Sequence, residues 1–215
     1  MSWSSGKDSA LALHDVLRDD DVDVVGLLVT MNATHDRVAM HAVRRLLLQQ
    51  QAEALGLPLH LVALPWPCPN EDYERLMADA IAAARDDGVD TMVFGDLFLA
   101  DIRAYREQQL APTGITPLFP LWEQPTRPLA ERMLEVGIDA VLTCVDPARL
   151  DPSYAGRRFD RALLDELPAD VDPCGENGEF HTFVVDSPDF GAPLDVAVGE
   201  VVERDGFVFA DVLLR

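Results

Sequence analysis

Short β-branched apolar runs alternate along the chain with longer segments in which apolar residues recur every three or four positions. This is how a parallel sheet with crossover helices reads. The spacing predicts a first helix over Asp8–Arg18 and a strand over Val24–Thr30, VVGLLVT, whose near-continuous apolar character suits burial on both faces. A helix over Ala39–Leu55 ends at Gly56, a residue suited to a left-handed C-terminal cap, and a strand follows at Leu59–Leu64. Pro65-Trp66-Pro67-Cys68-Pro69 interrupts regular structure; Asn70 then stands as the cap of a helix reaching Asp86, with Glu71 and Asp72 in its first turn.

The strand Thr91–Phe94 delivers Gly95-Asp96 at its carboxyl end, where open α/β sheets place ligands. Helices over Ala100–Leu110 and Leu129–Val136 flank an extended piece at Thr116–Phe119, and Ala140–Val145 is the next strand. The pattern then changes to a helix over Ser153–Leu167, an extended run Phe180–Asp186, and a hairpin of Ala197–Glu203 with Phe207–Leu213 turning at Arg204-Asp205-Gly206. The fold class expected is α/β: an open, Rossmann-like parallel sheet with crossover helices in residues 1–147, and a small C-terminal α+β part in residues 148–215 that completes the active site. A central first strand is short, because only Met1-Ser2-Trp3 precede the first helix region. Unpaired neighbours would cost several kcal/mol, of the order of ~1–3 per buried polar group, so the expectation is a stub or, preferred, a true start lying upstream.

Charge narrows the partners. With 38 acidic against 17 basic side chains and a formal net charge of −21, the long-range field repels nucleic acid, and no apolar run approaches the length of a membrane span. The three cysteines, Cys68, Cys144 and Cys174, are widely spaced and suit reduced thiols in a cytoplasmic protein. Oligomeric state, homo-oligomers included, stays open.

Lys7 is the only lysine; every other basic residue is arginine. It lies in Ser4-Ser5-Gly6-Lys7-Asp8-Ser9, a small, hydroxyl-rich loop that opens a helix. Small residues let backbone approach an anion, and the helix N-terminus points N–H groups and the positive end of its dipole at the same place. The hydroxyls of Ser4, Ser5 and Ser9 add donors, Lys7 adds a compact positive charge beside phosphate, and Asp8 is a candidate ligand for magnesium. An ordinary capped helix start is the competing reading of the same letters.

SSGKDS resembles the SGGKDS loop of the PP-loop family, the adenine nucleotide alpha hydrolases, which cut ATP between its α and β phosphates. Phe94-Gly95-Asp96 followed by Asp101, Arg103 and Glu107 resembles a second family stretch. The block Cys174-Gly175-Glu176-Asn177-Gly178-Glu179-Phe180-His181-Thr182, with Pro188 and Phe190 after it, resembles the Gly-Glu-Gly-Gly-Glu block of diphthine-ammonia ligases. Pro120-Leu121-Trp122 and Gly156-Arg157 also match, and the spelling WSSGKDSALAL is nearer to bacterial members. Ser5 and Asn177 stand where the family pattern has glycine.

The resemblance implies an ATP-dependent carbon–nitrogen ligase that forms AMP and pyrophosphate by adenylating a carboxylate, then amidates it with ammonia or an amine. Its cofactors would be ATP and Mg²⁺. Ser4 to Ser9 with Gly95 and Asp96 would bind the nucleotide, and Asp8 and Asp96 the metal. Lys7, Asp8, Glu176 and Glu179 would be catalytic; Arg103, Glu107, Asn177 and His181 would contact substrate. A loop at His35-Asp36-Arg37 would touch adenine or ribose. From the residues alone, Glu176 and Glu179 can turn toward one point in a loop, and Cys174 with His181 leaves a transition-metal site open. The competing functions are a tRNA-modifying PP-loop enzyme, which would need a basic face, and a nucleotide-binding protein without turnover.

Overall fold

In the computed structural model, residues 1–34, 37–38 and 43–215 are described. A parallel layer is formed by β1 (Leu27–Asn32) and β3 (Leu59–Leu64), with the short antiparallel β2 (Arg37–Val38) beside β1. A second parallel pair is β4 (Thr91–Val93) with β5 (Thr116–Leu118). Residues 1–3 join the two. The Ser2 N–H donates to the Val93 carbonyl, the Trp3 N–H to the Leu28 carbonyl and the Leu28 N–H to the Met1 carbonyl, each at 2.8 Å. Three residues thus supply the central rung that the unpaired neighbours require.

Helix α1 (Lys7–Val16) leaves this stub and is almost wholly buried. Helix α2 (Arg45–Leu55) ends at Gly56 with φ 66°, the expected left-handed cap; Ala39–Ala42, the start of the predicted helix, lie outside the described residues. Helices α3 (Asn70–Asp86) and α4 (Ala100–Leu110) follow β3 and β4. Pro69 rather than Asn70 holds the cap position of α3, and Asn70 is its first helical residue.

After α5 (Thr126–Val136), β6 (Asp139–Val145) enters a four-stranded antiparallel sheet in the order β7–β6–β9–β8, with β7 (Phe180–Asp186), β8 (Val196–Arg204) and β9 (Phe207–Leu214). Strand β6, on the N-terminal side of residue 147, pairs with β7 and β9 from beyond it. One hydrophobic core runs through both parts, from Leu11 and Leu48 to Phe159 and Phe183.

The continuous helix predicted over Ser153–Leu167 is a correction. A 3-10 turn at Pro152–Tyr154 is followed by Gly156 at φ 83°, and only Arg161–Glu166 is α-helical (α6). The backbone between them is drawn to β6: the Leu142 N–H donates to the Arg157 carbonyl, the Gly156 N–H to the Leu142 carbonyl and the Phe159 N–H to the Ala140 carbonyl. Those pairings take the groups a helix would have used. Asp160 caps α6 by accepting from the Leu163 N–H at 2.8 Å. No helix among the described residues is long and apolar enough to cross a membrane.

Candidate active site

The loop from Ser4 to Ser9 is braced from inside. Ser4 and Ser9 hydroxyls lie 3.0 Å apart, and the Ser9 hydroxyl donates to the Gly6 carbonyl at 2.9 Å. Ser5 takes a left-handed φ of 70°, the conformation that glycine adopts without strain, and its buried hydroxyl has no hydrogen-bond partner among the described residues. Its carbonyl accepts from the Val184 N–H at 2.9 Å and from Gln51 Nε2 at 3.2 Å. Gly95 seats directly against this turn: a Cβ there would lie 2.9 Å from the Ser9 nitrogen, so only glycine lets the β4 end reach the start of α1.

Lys7 departs from the expected open point charge. It is 1% exposed. Its Nζ donates to Asp8 Oδ1 and Oδ2 at 3.1 and 2.9 Å and to the Cys174 carbonyl, and it lies 5.5 and 5.3 Å from the ring centres of Phe159 and Phe180. Burial opposes its charge, yet Asp8 holds its pKa above the ordinary value. The Lys7 N–H donates to Thr182 Oγ1 at 3.1 Å, tying the loop to β7. Asp8 keeps a quarter of its side chain exposed; burial raises its pKa and Lys7 opposes the rise.

Two more carboxylates share this rim. Glu176 Oε1 accepts from the Leu97 N–H at 2.9 Å, so the acidic block docks on the loop after β4. Burial, with the nearby negative charges of Asp8 and Asp96, pushes the Glu176 carboxyl up to about 7, while the Leu97 N–H and Lys7 work in the opposite sense. Asp96 is held by Arg106: Nη2 donates to Oδ1 at 3.1 Å, and Nε lies 2.7 Å from Oδ2 without hydrogen-bond alignment. Arg106 also stacks over Phe94, 4.4 Å from its ring centre.

Glu179 does not accompany Glu176 in these contacts. It is 2% exposed, its Oε1 accepts from the Asp172 N–H and from Asn177 Nδ2, both at 3.1 Å, and its Oε2 is buried without a hydrogen bond among the described residues. Glu179 therefore shapes the block from within, while Glu176 lies toward the Ser4–Ser9 loop. Asn177 itself is exposed. His181 is on β7, in register with Cys144. Arg103 and Glu107 pair with each other at 2.7 Å on the outside of α4, with Arg103 stacked on Phe119 and Trp122.

Among the described residues no group of three or more His, Cys, Asp or Glu side chains could hold a metal ion. Cys174 Sγ donates to the Thr126 carbonyl at 3.3 Å, and burial raises its thiol pKa; burial likewise pushes the Cys144 thiol to about 12. Burial of this kind disfavours the reactive thiolate at both. Magnesium bound through substrate phosphates needs only one or two carboxylates and keeps its waters, and the partly exposed Asp8 and Asp96 have that donor chemistry.

Three residues that hold the candidate site together carried no motif signal. Arg106 lies ten residues beyond Asp96, and Asp172 precedes the recognised block. Gln51 was the legible one: it is a polar residue on the buried stripe Leu47, Leu48, Gln51, Ala52 of α2. It accepts from Trp3 Nε1 at 2.9 Å and donates to the Ser5 and Val184 carbonyls, joining the first strand, the Ser4–Ser9 loop and β7. His35, Asp36 and His41 lie outside the described residues; Arg37 pairs with Asp211 at 3.0 Å.

A sequence profile described as the diphthamide synthase N-terminal domain matches residues 1–116, and one described as the diphthamide synthase C-terminal domain matches residues 125–210. The diphthine--ammonia ligases of Bos taurus and Homo sapiens are each 28% identical over 177 residues, covering 75% of this chain and 66% of theirs. That of Schizosaccharomyces pombe is 24% identical over 231 residues, covering 94% of this chain but 36% of its own length. The chain thus spans just under two thirds of the mammalian relatives it matches. With both profiles matched in order and the first alone spanning more than half of the sequence, the chain belongs to the diphthamide synthase family.

Proposed function

We propose that this chain is an ATP-dependent ligase that adenylates a carboxylate and amidates it; relatives named diphthine--ammonia ligase support the ligase part of this reading. The observation that carries the reading is the junction of the phosphate loop with the acidic block. Lys7, Asp8 and Glu176, separated by up to 169 positions, meet at one rim. In this reading residues 1–147 bind the nucleotide, residues 148–215 face the acceptor, and β6 is the strand shared between them.

The carboxylate substrate forms a bond to the α-phosphorus of ATP as the bond to the bridging oxygen breaks and pyrophosphate leaves. Ammonia or an amine then attacks the acyl carbon, AMP departs, and the nitrogen gives up a proton. The loop backbone and the hydroxyls of Ser4 and Ser9 orient the phosphates at the start of α1. Glu176, with a carboxyl that titrates near neutral pH, suits the proton acceptor. Magnesium held by Asp8 and Asp96 together with phosphate oxygens would supply charge neutralisation. The carboxylate is a small molecule or is borne on a protein; the net charge of −21 disfavours a nucleic-acid substrate, and the cytoplasm is the expected location.

The test is incubation of the purified protein with α-labelled ATP, Mg²⁺, an ammonium salt and a pool of carboxylates, including a diphthine-bearing protein. AMP and pyrophosphate released in equal amounts, and only with an acceptor, support the proposal. Release of ADP, or AMP formation independent of any acceptor, sinks it.

A further inference from the structure

We infer that Lys7 is a positioning residue, an internal buttress that holds the acidic block 172–179 onto the start of α1, rather than a contact to phosphate. The inference rests on the nucleotide-site reading above but concerns which group does what. The Lys7 ammonium donates to the Asp8 carboxylate, within reach of both its oxygens, and to the carbonyl of Cys174, and the rings of Phe159 and Phe180 lie 5.5 and 5.3 Å from Nζ. Its side chain is 2% exposed, against 25% for Asp8, so Asp8 is the member of the pair that faces outward.

The same box suits an ammonium at position 7. Arginine stands at every other basic position, and as a planar fork it is the stronger binder of phosphate. A compact ammonium is what a small cage of one carboxylate, one carbonyl and two rings accepts. Through the Cys174 carbonyl, Lys7 fixes the residues just before Glu176, whose carboxylate then reaches the Leu97 N–H. Removing the ammonium therefore frees the block and misplaces Glu176, while the phosphate-binding backbone of the loop stays tied to β7 through Thr182 and to α2 through Gln51.

The experiment compares Lys7→Met and Lys7→Arg with wild type by calorimetry with Mg·ATP, by turnover, and by amide hydrogen exchange. For Lys7→Met the expected result is nucleotide affinity within about threefold of wild type, turnover down by about a hundredfold or more, and exchange at 172–179 faster by about tenfold. Lys7→Arg should not rescue turnover, because the fork does not fit the box. Phe159→Leu, which removes one wall without touching the loop, should show the same selective rise in exchange and keeps the test decisive if Lys7→Met does not fold. Affinity lost by tenfold or more in Lys7→Met but kept in Lys7→Arg, or exchange that rises evenly along the whole chain, overturns the inference. If wild type itself binds no nucleotide, the ligase reading falls, while the exchange comparison still decides the role of Lys7.

Discussion

Helices α1 and α3 are built to opposite rules. Of the ten residues of α1, eight are buried, Lys7, Ser9 and His14 among them; of the seventeen in α3, Ile81 alone is buried. Around α1 the main core runs from the first strand to β7, and polar groups inside it are matched by Gln51, Thr182 and Asp8. Around α3 and α4 the core is a cluster of Ile81, Met92, Phe94, Leu110 and Ile115, beside a cavity of about 170 Å³ lined by Tyr73, Met77, Tyr105 and Arg106. The difference teaches where rigidity is placed: the segments that would hold charge in a fixed geometry are over-determined, whereas the layer behind Asp96 is free to open locally.

Gln51→Ala should be the most damaging break on the α1 side. It leaves the Trp3 indole N–H and the Val184 carbonyl without Gln51, while the Ser5 carbonyl keeps the Val184 N–H, costing about 2–6 kcal/mol at ~1–3 kcal/mol per unmet group, read as a fall in the urea midpoint and melting temperature. Little change in the midpoint would contradict the bracing described here. On the α3 side Ile81→Ala should cost about 2 kcal/mol, the low end for such truncations, because one side of the helix already meets solvent. Hydrogen exchange should rise in α3 and α4 while α1 stays protected; equal loss in both would erase the contrast.

Smaller again is the effect of pH through Glu176. Its carboxyl is raised to about 7 in the fold, so the folded chain binds the extra proton between its ordinary value and about 7 and stability falls as pH rises through that window. Discounted for partial exposure, the slope sums to about 1 kcal/mol. Glu176→Gln should flatten it and also remove any rise of turnover with pH centred near 7. An unchanged pH profile in the variant would assign the proton acceptor elsewhere. Smallest is Arg103→Ala, whose exposed pair with Glu107 and stacking on two rings should contribute under about 1 kcal/mol. A shift of KM without a shift in stability would mark Arg103 as a substrate contact.

The parallel architecture was legible because the apolar run Val24–Thr30 overlaps β1, whose residues alternate between buried and half-buried, and the glycine cap of α2 is a local signal. The residues after 153 misled because Gly156 and its neighbours pair with β6, a partner that helical periodicity does not reveal. In the candidate site, the letters of the loop and of the acidic block were visible, but their junction was not. Lys7 meets Cys174 across 167 positions, and the Arg106 partner of Asp96 sits in a helix face with no motif. Spacing along the chain reports local geometry, such as the Lys7–Asp8 pair; the contact of Lys7 with Cys174 and the elevation of Glu176 come from tertiary neighbours.

The central claim is that residues 4–9, 95–97 and 174–179 form one nucleotide site. The most direct test is hydrogen exchange of the intact chain with and without Mg²⁺ and an ATP analogue whose α–β bridge is a methylene. The account predicts that all three segments become protected together, with α3 unchanged. Protection confined to the cavity between α3 and α4, or no protection at saturating analogue, would contradict it.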